Sequence, residues 1–203
     1  MTPILHEHAA SGNCYKIRLT AALAGVAIER REYDITAGET RTPAFLAQVN
    51  ANGRIPVLQI GDRFLPESGA ACAWIAAGTP LIPSDRFDHA NMLRWMFWEQ
   101  YNHEPNIATL RYWTTVVGLD RLSEAQLAQV AGKRAGGAAA LALLEGHLVD
   151  RTWIIGGAVT LADLVLYPYT SRAGEGGFDL SPHPHLRRWL RQVEQLPGFI
   201  PFT

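Results

Sequence analysis

Cysteine is scarce: Cys14 and Cys72 are the whole complement of 203 residues. A disulfide-stapled secreted scaffold or a thiolate zinc site needs more, so this usage fits a reducing cytoplasm. An excess of either charge is also missing. The 18 basic and 19 acidic side chains leave a formal net charge of −1. With no basic block, nothing draws the chain to nucleic acid or to an anionic membrane surface. Long apolar runs are absent too. The longest nearly apolar stretch, Trp153 to Tyr169, contains Gly156, Gly157 and Asp163, is too short to span a bilayer, and reads as a buried helix with its lead-in. The first residues lack the basic segment and apolar run of a secretory signal. There is no internal repeat, and the Gly/Ala-rich stretch from Gly132 to Ala140 contains no P-loop. What remains is ordinary globular composition, 48% apolar and 18% charged, in a chain long enough for one large domain or two small ones.

Taken in order, Ile4 to His6 forms a first strand and Ile17, Leu19, Ala22 and Leu23 recur at helical spacing up to Gly25, a natural helix stop. Glu29 to Ile35 alternates as a second strand. A short helix starts at Pro43, Asn50 to Gly53 makes a turn, and Arg54 to Ile60 is a strand broken near its start by Pro56. Gly61-Asp62 is a two-residue hairpin signal that returns Arg63 to Leu65 antiparallel. Glu67, Ser68 and Gly69 then open a helix through Ala76. Strand, helix, strand, helix, strand, strand, helix is a small mixed α/β domain ending near Gly78. Gly78, Pro80 and Pro83 punctuate a linker, and beyond it only helices are predicted. These are an aromatic helix from Phe87 to Asn102 that Pro105 must end or kink, a run through Ile107, Leu110, Tyr112 and Trp113, a helix starting at Ser123, and an Ala/Leu-rich helix from Ala138 to Leu148. Thr160 and Asp163 have capping-box spacing, with Val159 and Leu164 placed as a hydrophobic staple. A last helix, Pro184 to Leu196, carries Leu186, Trp189, Leu190 and Val193 on one face.

The chemistry concentrates at Ser11-Gly-Asn-Cys-Tyr-Lys-Ile-Arg18, a polar turn between the first strand and the first helix. Its amide and hydroxyl groups lie at a helix N-terminus, where unpaired N–H groups and the dipole favour an anion. Ser11 and Cys14 have the spacing of a dithiol redox motif with its first sulfur replaced by oxygen. Such a serine cannot exchange disulfides but can donate to a thiolate held by a ligand. It can equally be a simple helix cap. Cys14, one turn in, reads as a small buried hydrophobe. His6, Glu7 and His8 alternate along a strand, and His103-Glu104 lacks a second histidine. Neither makes a metal site, and none is expected.

Four features together resemble the cytosolic glutathione transferase superfamily. They are the Ser11 turn, Asn52-Gly-Arg-Ile-Pro-Val-Leu58, the Glu67-Ser68 pair at a helix start, and Thr160-x-x-Asp163 within Leu161 to Tyr169. The resemblance covers nearly the whole chain. It implies an α/β plus all-α architecture: a thioredoxin-like glutathione-binding domain with a mixed four-stranded sheet over 1–78, a linker over 79–86, and an all-helical domain over 87–203. Ser11 with Asn13 is similar both to serine-type transferases and to a bacterial group using threonine and asparagine in this turn. Either side chain would therefore hold the glutathione thiolate. The resemblance makes Pro56 a cis-proline presenting the Ile55 backbone to the cysteinyl part of the tripeptide. It sets Ser68 on the γ-glutamyl carboxylate through hydroxyl and backbone N–H, Glu67 on the ammonium, and Arg54, or more weakly Arg41, on the glycine carboxylate. Capping alone would also account for Glu67 and Ser68.

The implied activity is transfer of glutathione, a co-substrate, to a small hydrophobic electrophile in a cytoplasmic, detoxifying homodimer, with no nucleic acid, membrane or metal partner. The electrophile would lie between the domains, near Trp95, Trp98 and Tyr101 and near Arg111, Tyr112 and Trp113, although such aromatics equally suit a core or a dimer interface. Glutathione-dependent reduction of disulfides or peroxides, isomerisation, and a non-catalytic ligand- or protein-binding role on the same fold are the alternatives.

Overall fold

A computed structural model of the chain describes residues 2–202. It divides into two compact units, Met1–Ile82 with Leu196–Thr203, and Pro83–Gln195. The helical unit thus stops short of the C-terminal tail that the sequence pattern assigned to it.

In the first unit the elements run β1 (Ile4–Glu7), α1 (Gly12–Ala24), β2 (Glu29–Glu32), α2 (Pro43–Gln48), β3 (Val57–Ile60), β4 (Arg63–Pro66) and α3 (Ser68–Ile75). The four strands form one mixed sheet in the order β2-β1-β3-β4, parallel between β1 and β2 and antiparallel elsewhere. The expected order is reproduced with tighter ends. β2 stops at Glu32 because Asp34 folds back on the N–H groups of Thr36 and Ala37, an Asx turn that competes with the ladder. Gly25 ends α1 with φ 67°, and Pro43 occupies the first turn of α2. Leu5, Ile17, Leu19, Val57, Leu58 and Ala71 form the core where α1 and α3 cover the sheet.

The tail belongs to this unit through α1. The Tyr15 hydroxyl donates to the Ile200 carbonyl at 2.6 Å, and the Tyr15 and Phe202 rings stack at 4.5 Å between centroids. An aromatic hydroxyl buried on α1 requires an acceptor, and the tail supplies it. Nothing local in residues 196–202 signals this partner.

The second unit contains α4 (Arg86–Trp98), α5 (Glu104–Tyr112), α6 (Glu124–His147), α7 (Leu161–Ser171) and α8 (Pro184–Glu194). Pro105 is accommodated without breaking the rod. A π-helical stretch over Glu99–His103 shifts the hydrogen-bond register, so that the proline falls in the first turn of α5, where its missing N–H is not needed. The two helices expected over residues 123–148 are one continuous α6, with Gly132, Gly136 and Gly137 inside it. Gly137 is required by packing: a Cβ there would sit 2.3 Å from the Phe178 ring. Among the described residues no helix is long and apolar enough to cross a membrane.

One carboxylate organises this unit. Asp163 is fully buried and accepts from the N–H groups of Ile154 and Thr160, the Thr160 hydroxyl and the Trp189 indole. It closes the capping box of α7 while tying the lead-in loop and α8 to it. Burial pushes its carboxyl up to about 6 against the pull of these donors, so at neutral pH it is ionised and accepts from all four. We expect Asp163→Ala to cost about 3 kcal/mol or more in urea unfolding, because several buried donors lose their acceptor together. Asp163→Asn, which turns a donor toward N–H groups, should also destabilise, and variants that unfold at the wild-type midpoint would contradict this assignment.

Candidate functional site

The sheet register gathers the candidate residues. His6 pairs with Val57 and Val57 with Pro66, so the end of β1, the start of β3 and the end of β4 lie at one end of the sheet. The chain leaves β1 into the Ser11 turn, enters β3 through Ile55 and Pro56, and leaves β4 into Glu67 and Ser68. The Ile55–Pro56 peptide bond is cis.

Ser11 is the N-cap of α1, and its Oγ accepts from the Cys14 N–H at 3.4 Å. Capping uses the hydroxyl oxygen as acceptor and leaves its proton for an outside acceptor, so the cap and donor roles are compatible. The first turn of α1 contains no acidic residue, which keeps the positive end of its dipole uncompensated. Asn13, half-buried in that turn, is joined to the second helix start: the Ser68 hydroxyl donates to Asn13 Oδ1 at 3.2 Å. Two helix N-termini, those of α1 and α3, are thereby held side by side.

Glu67 occupies the N-cap position of α3 with φ 71° and ψ 118°, and is the single non-glycine residue with positive φ among the described residues. Its side chain is exposed and makes no capping bond. A glutamate held in a sparsely populated backbone region costs about 1–3 kcal/mol. A pure capping role does not explain it, because the side chain does no capping. Ser68 is buried, at 7% exposure. Arg54 is exposed and its carbonyl accepts from the Asn50 amide. Arg41 donates to the Asn52 carbonyl and covers Gly53, whose φ is 62°, so it braces that loop.

Cys14 is fully buried, and its sulfur accepts from the His8 N–H at 3.4 Å. Burial pushes the thiol up to about 12, outweighing the hydrogen bonds from Ser11 and His8 that lower it. Such a thiol is neither a nucleophile nor a leaving group at neutral pH. Cys72 is likewise buried and unbridged.

Sequence reasoning did not find the residues that shape the turn. Glu7 is fully buried at the end of β1 and pairs with Arg30 and with Arg18, the latter at 3.5 Å. Arg18 Nη2 donates to the Ala9 carbonyl at 2.7 Å, the Ala9 N–H donates to Glu32 at 2.7 Å, and His8 Nδ1 lies 3.1 Å from the Tyr33 carbonyl. The available signal was an acidic residue ending the first strand, with an arginine on the next helix. His6, on the same strand, is a buried neutral group between the Tyr33 hydroxyl and Gln59, and burial lowers its pKa from the usual 6.5. In the second unit Trp95 and Trp113 are core residues and Arg111 pairs with Glu175 at 2.6 Å. The two tryptophans serve packing, whereas Tyr101 is 87% exposed. No metal-binding group of His, Cys, Asp or Glu occurs among the described residues.

If Cys14 and Cys72 are as inert as their burial implies, the folded protein should release no thiolate to a small disulfide reagent at mildly alkaline pH. The unfolded protein should show both thiols. Rapid titration of one thiol in the folded protein would contradict this.

Comparison with known proteins agrees with this architecture. The glutathione S-transferase N-terminal domain family matches residues 1–77, and the C-terminal domain family matches residues 110–197. A crystal structure of a possible glutathione S-transferase from Rhodopseudomonas palustris is 41% identical, covers 100% of this chain and 90% of its own, and superposes with a TM-score of 0.93. Glutathione S-transferase 3 of Zea mays is 30% identical over 98% of this chain and 92% of its own length. Elongation factor 1-gamma 2 of Oryza sativa subsp. japonica is 29% identical over 98% of this chain, which spans only 48% of that protein. The chain belongs to the glutathione S-transferase superfamily.

Proposed function

We propose that the protein is a glutathione transferase that lowers the pKa of the bound glutathione thiol and presents the thiolate to a small hydrophobic electrophile in the cytoplasm. The observation that carries this reading is the pair of adjacent helix N-termini bearing Ser11, Asn13 and Ser68, joined by the Ser68–Asn13 hydrogen bond. Such an arrangement offers donors to two anionic parts of one extended ligand. Ser11 and Asn13 serve the sulfur, the α3 N-terminus with Ser68 serves the γ-glutamyl carboxylate, and Glu67 serves the ammonium. The Ile55 backbone beside Pro56 lines the cysteinyl part and Arg54 faces the glycine carboxylate. Hydrogen bonds and a helix dipole directed at a thiolate stabilise the anion and hold it for attack. The protein supplies no nucleophile of its own, because Cys14 stays protonated.

Reduction of disulfides or peroxides by two glutathione molecules, and isomerisation with glutathione recycled, use the same thiolate and need no protein thiol. A binding role without turnover draws on a different observation, the likeness of nearly the whole chain to part of an elongation factor 1-gamma protein. We also propose a homodimer, on the strength of Phe87 and Phe97 of α4 and the following Tyr101, which are 75%, 68% and 87% exposed. An apolar surface of this kind favours a protein partner, and light scattering should give twice the chain mass at micromolar protein. A monomer would remove that proposal.

Ultraviolet titration of the bound thiol separates catalysis from binding. A free cysteine thiol ionises near about 8.5. Bound glutathione should ionise about 1–2 pH units lower, with the shift reduced in Ser11→Ala or Asn13→Ala and affinity reduced about tenfold in Glu67→Gln. Binding without a lowered thiol pKa would favour the non-catalytic reading, and no binding would leave only the fold.

A further inference from the structure

The glycines and alanines in the middle of α6 leave room beside the loop that leads into α8. Ala138 carries only a methyl group, and Gly137 lets the Phe178 ring lie against the helix, since a Cβ there would sit 2.3 Å from it. A cavity of about 250 Å³ results, lined by Arg134, Ala138 and Leu141 from α6 and by Phe178, Asp179 and His183 from the loop. Gly177 completes the wall. Its φ is 85°, and a Cβ there would lie 3.1 Å from Arg134 Nη1, so the guanidinium rests on the turn at this glycine. Leu141, 1% exposed, forms the apolar lining with Ala138 and the Phe178 ring. The charged side chains of the cavity are not equivalent. Asp179 accepts from the Ser181 hydroxyl at 2.6 Å and from the Ser181 N–H at 2.8 Å. These bonds, with the attraction of His183 and Arg187, hold its carboxyl below the ordinary carboxylate value, so its charge is met by its own neighbours. Arg134 differs: no hydrogen bond or ion pair joins its guanidinium to another described residue. Arg18, Arg30, Arg111 and Arg172 each have a carboxylate partner.

We propose that this cavity binds a small monocarboxylate with an apolar body, the carboxylate on the Arg134 guanidinium and the body against Leu141, Ala138 and Phe178. A guanidinium presents a planar fork of donors that matches a carboxylate, and such charge-assisted bonds are the stronger class. His183 adds a donor to the same cavity. An imidazole keeps at least one N–H in either protonation state, and its Nδ1 has no partner in the fold. Size limits the body of the ligand. The volume is below the roughly 300–1,000 Å³ of sites for drug-sized molecules, so it suits one ring or one branched chain. An apolar amine is the alternative that Asp179 would select, but the Asp179 charge is already compensated and that of Arg134 is not. The proposal does not rest on the glutathione reading. Every residue it uses belongs to the second unit, whereas Ser11, Asn13, Glu67 and Ser68 belong to the first.

Three probes of one shape and different charge test this: phenylacetate, its neutral isostere phenylacetamide, and the cation phenethylamine. Each is titrated at neutral pH against the whole protein by saturation-transfer NMR. The comparison includes Arg134→Gln and Ala138→Trp, both at exposed positions of α6 and both checked for a folded circular dichroism spectrum. Phenylacetate should bind with a Kd below about 1 mM, and phenylacetamide at least about tenfold more weakly, the worth of a lost anion contact. Arg134→Gln should weaken phenylacetate about tenfold and leave phenylacetamide within about twofold, because only the charge-assisted contact is removed. Ala138→Trp, which fills the cavity, should abolish binding of both. Saturating glutathione should leave the phenylacetate Kd within about twofold of its value alone, since the two ligands share no residue. Equal binding of acid and amide would overturn the proposal, as would tighter binding of phenethylamine, which would hand the cavity to Asp179. Phenylacetate binding that survives both substitutions, or that glutathione displaces, would place the probe elsewhere and equally overturn it. Absence of phenylacetate binding up to about 10 mM, a Kd too weak for a formed site, would remove the cavity as a carboxylate site.

Discussion

A buried carboxylate, that of Glu7, constrains everything at the functional end of the first unit. Placing an ionised carboxylate out of water costs several kcal/mol unless it is paired. Glu7 ends β1 with no solvent exposure, so the fold must bring cations to it, and it brings Arg18 from α1 and Arg30 from β2. Arg18 can reach only if α1 begins where it does. Its Nη2 then donates to the Ala9 carbonyl, which braces the turn leading to Ser11 and Asn13. The geometry of the turn after β1 is therefore tied to this ion pair. Removing either partner would act on the turn first and on stability second.

Strain is placed on the opposite side of the same site. Glu67 keeps a positive φ that glycine would adopt at little cost. The neighbouring sequence uses glycine freely where positive φ is needed, at Gly25, Gly53 and Gly61 among others. That a glutamate stands at position 67, with its side chain exposed and uncommitted to the cap, points to a use for its carboxylate that offsets the backbone cost. Together the braced turn and the strained cap hold two helix N-termini in register, and the Ser68–Asn13 bond crosses between them.

Much of this was legible in the sequence because its causes are local. The caps at Ser11 and Thr160, the αL stop at Gly25 and the hairpin at Gly61-Asp62 follow from residues within a few positions of each other. The parts that escaped depend on distant partners. Nothing around Tyr15 announces that Ile200 will accept its hydroxyl. Pro105 signals a break, yet a π-helical stretch absorbs it, and within that stretch His103 reaches across the unit, its ring 2.9 Å from the Thr170 hydroxyl. The glycine inside α6 at position 137 likewise answers to a distant residue, because the Phe178 ring occupies the space its Cβ would take. Within the candidate site, the donors were legible and their mutual arrangement was not. Ser11, Asn13 and Ser68 stand out as residue types, but the bond between two of them is a tertiary fact.

Aromatic content shows the same division from the other side. Tryptophans and tyrosines on α4 and α5 suggest a cleft for a flat electrophile, but the fold uses Trp95 and Trp113 as core and turns Phe87, Phe97 and Tyr101 outward. Composition cannot separate these uses, because ring burial and ring exposure draw on the same residues. The thiol side is better determined. Cys14 sits where a thioredoxin-like fold would place a reactive sulfur's neighbour, yet its burial holds the proton on. The helix start beside it therefore offers N–H and hydroxyl donors without an ionised protein thiol among them.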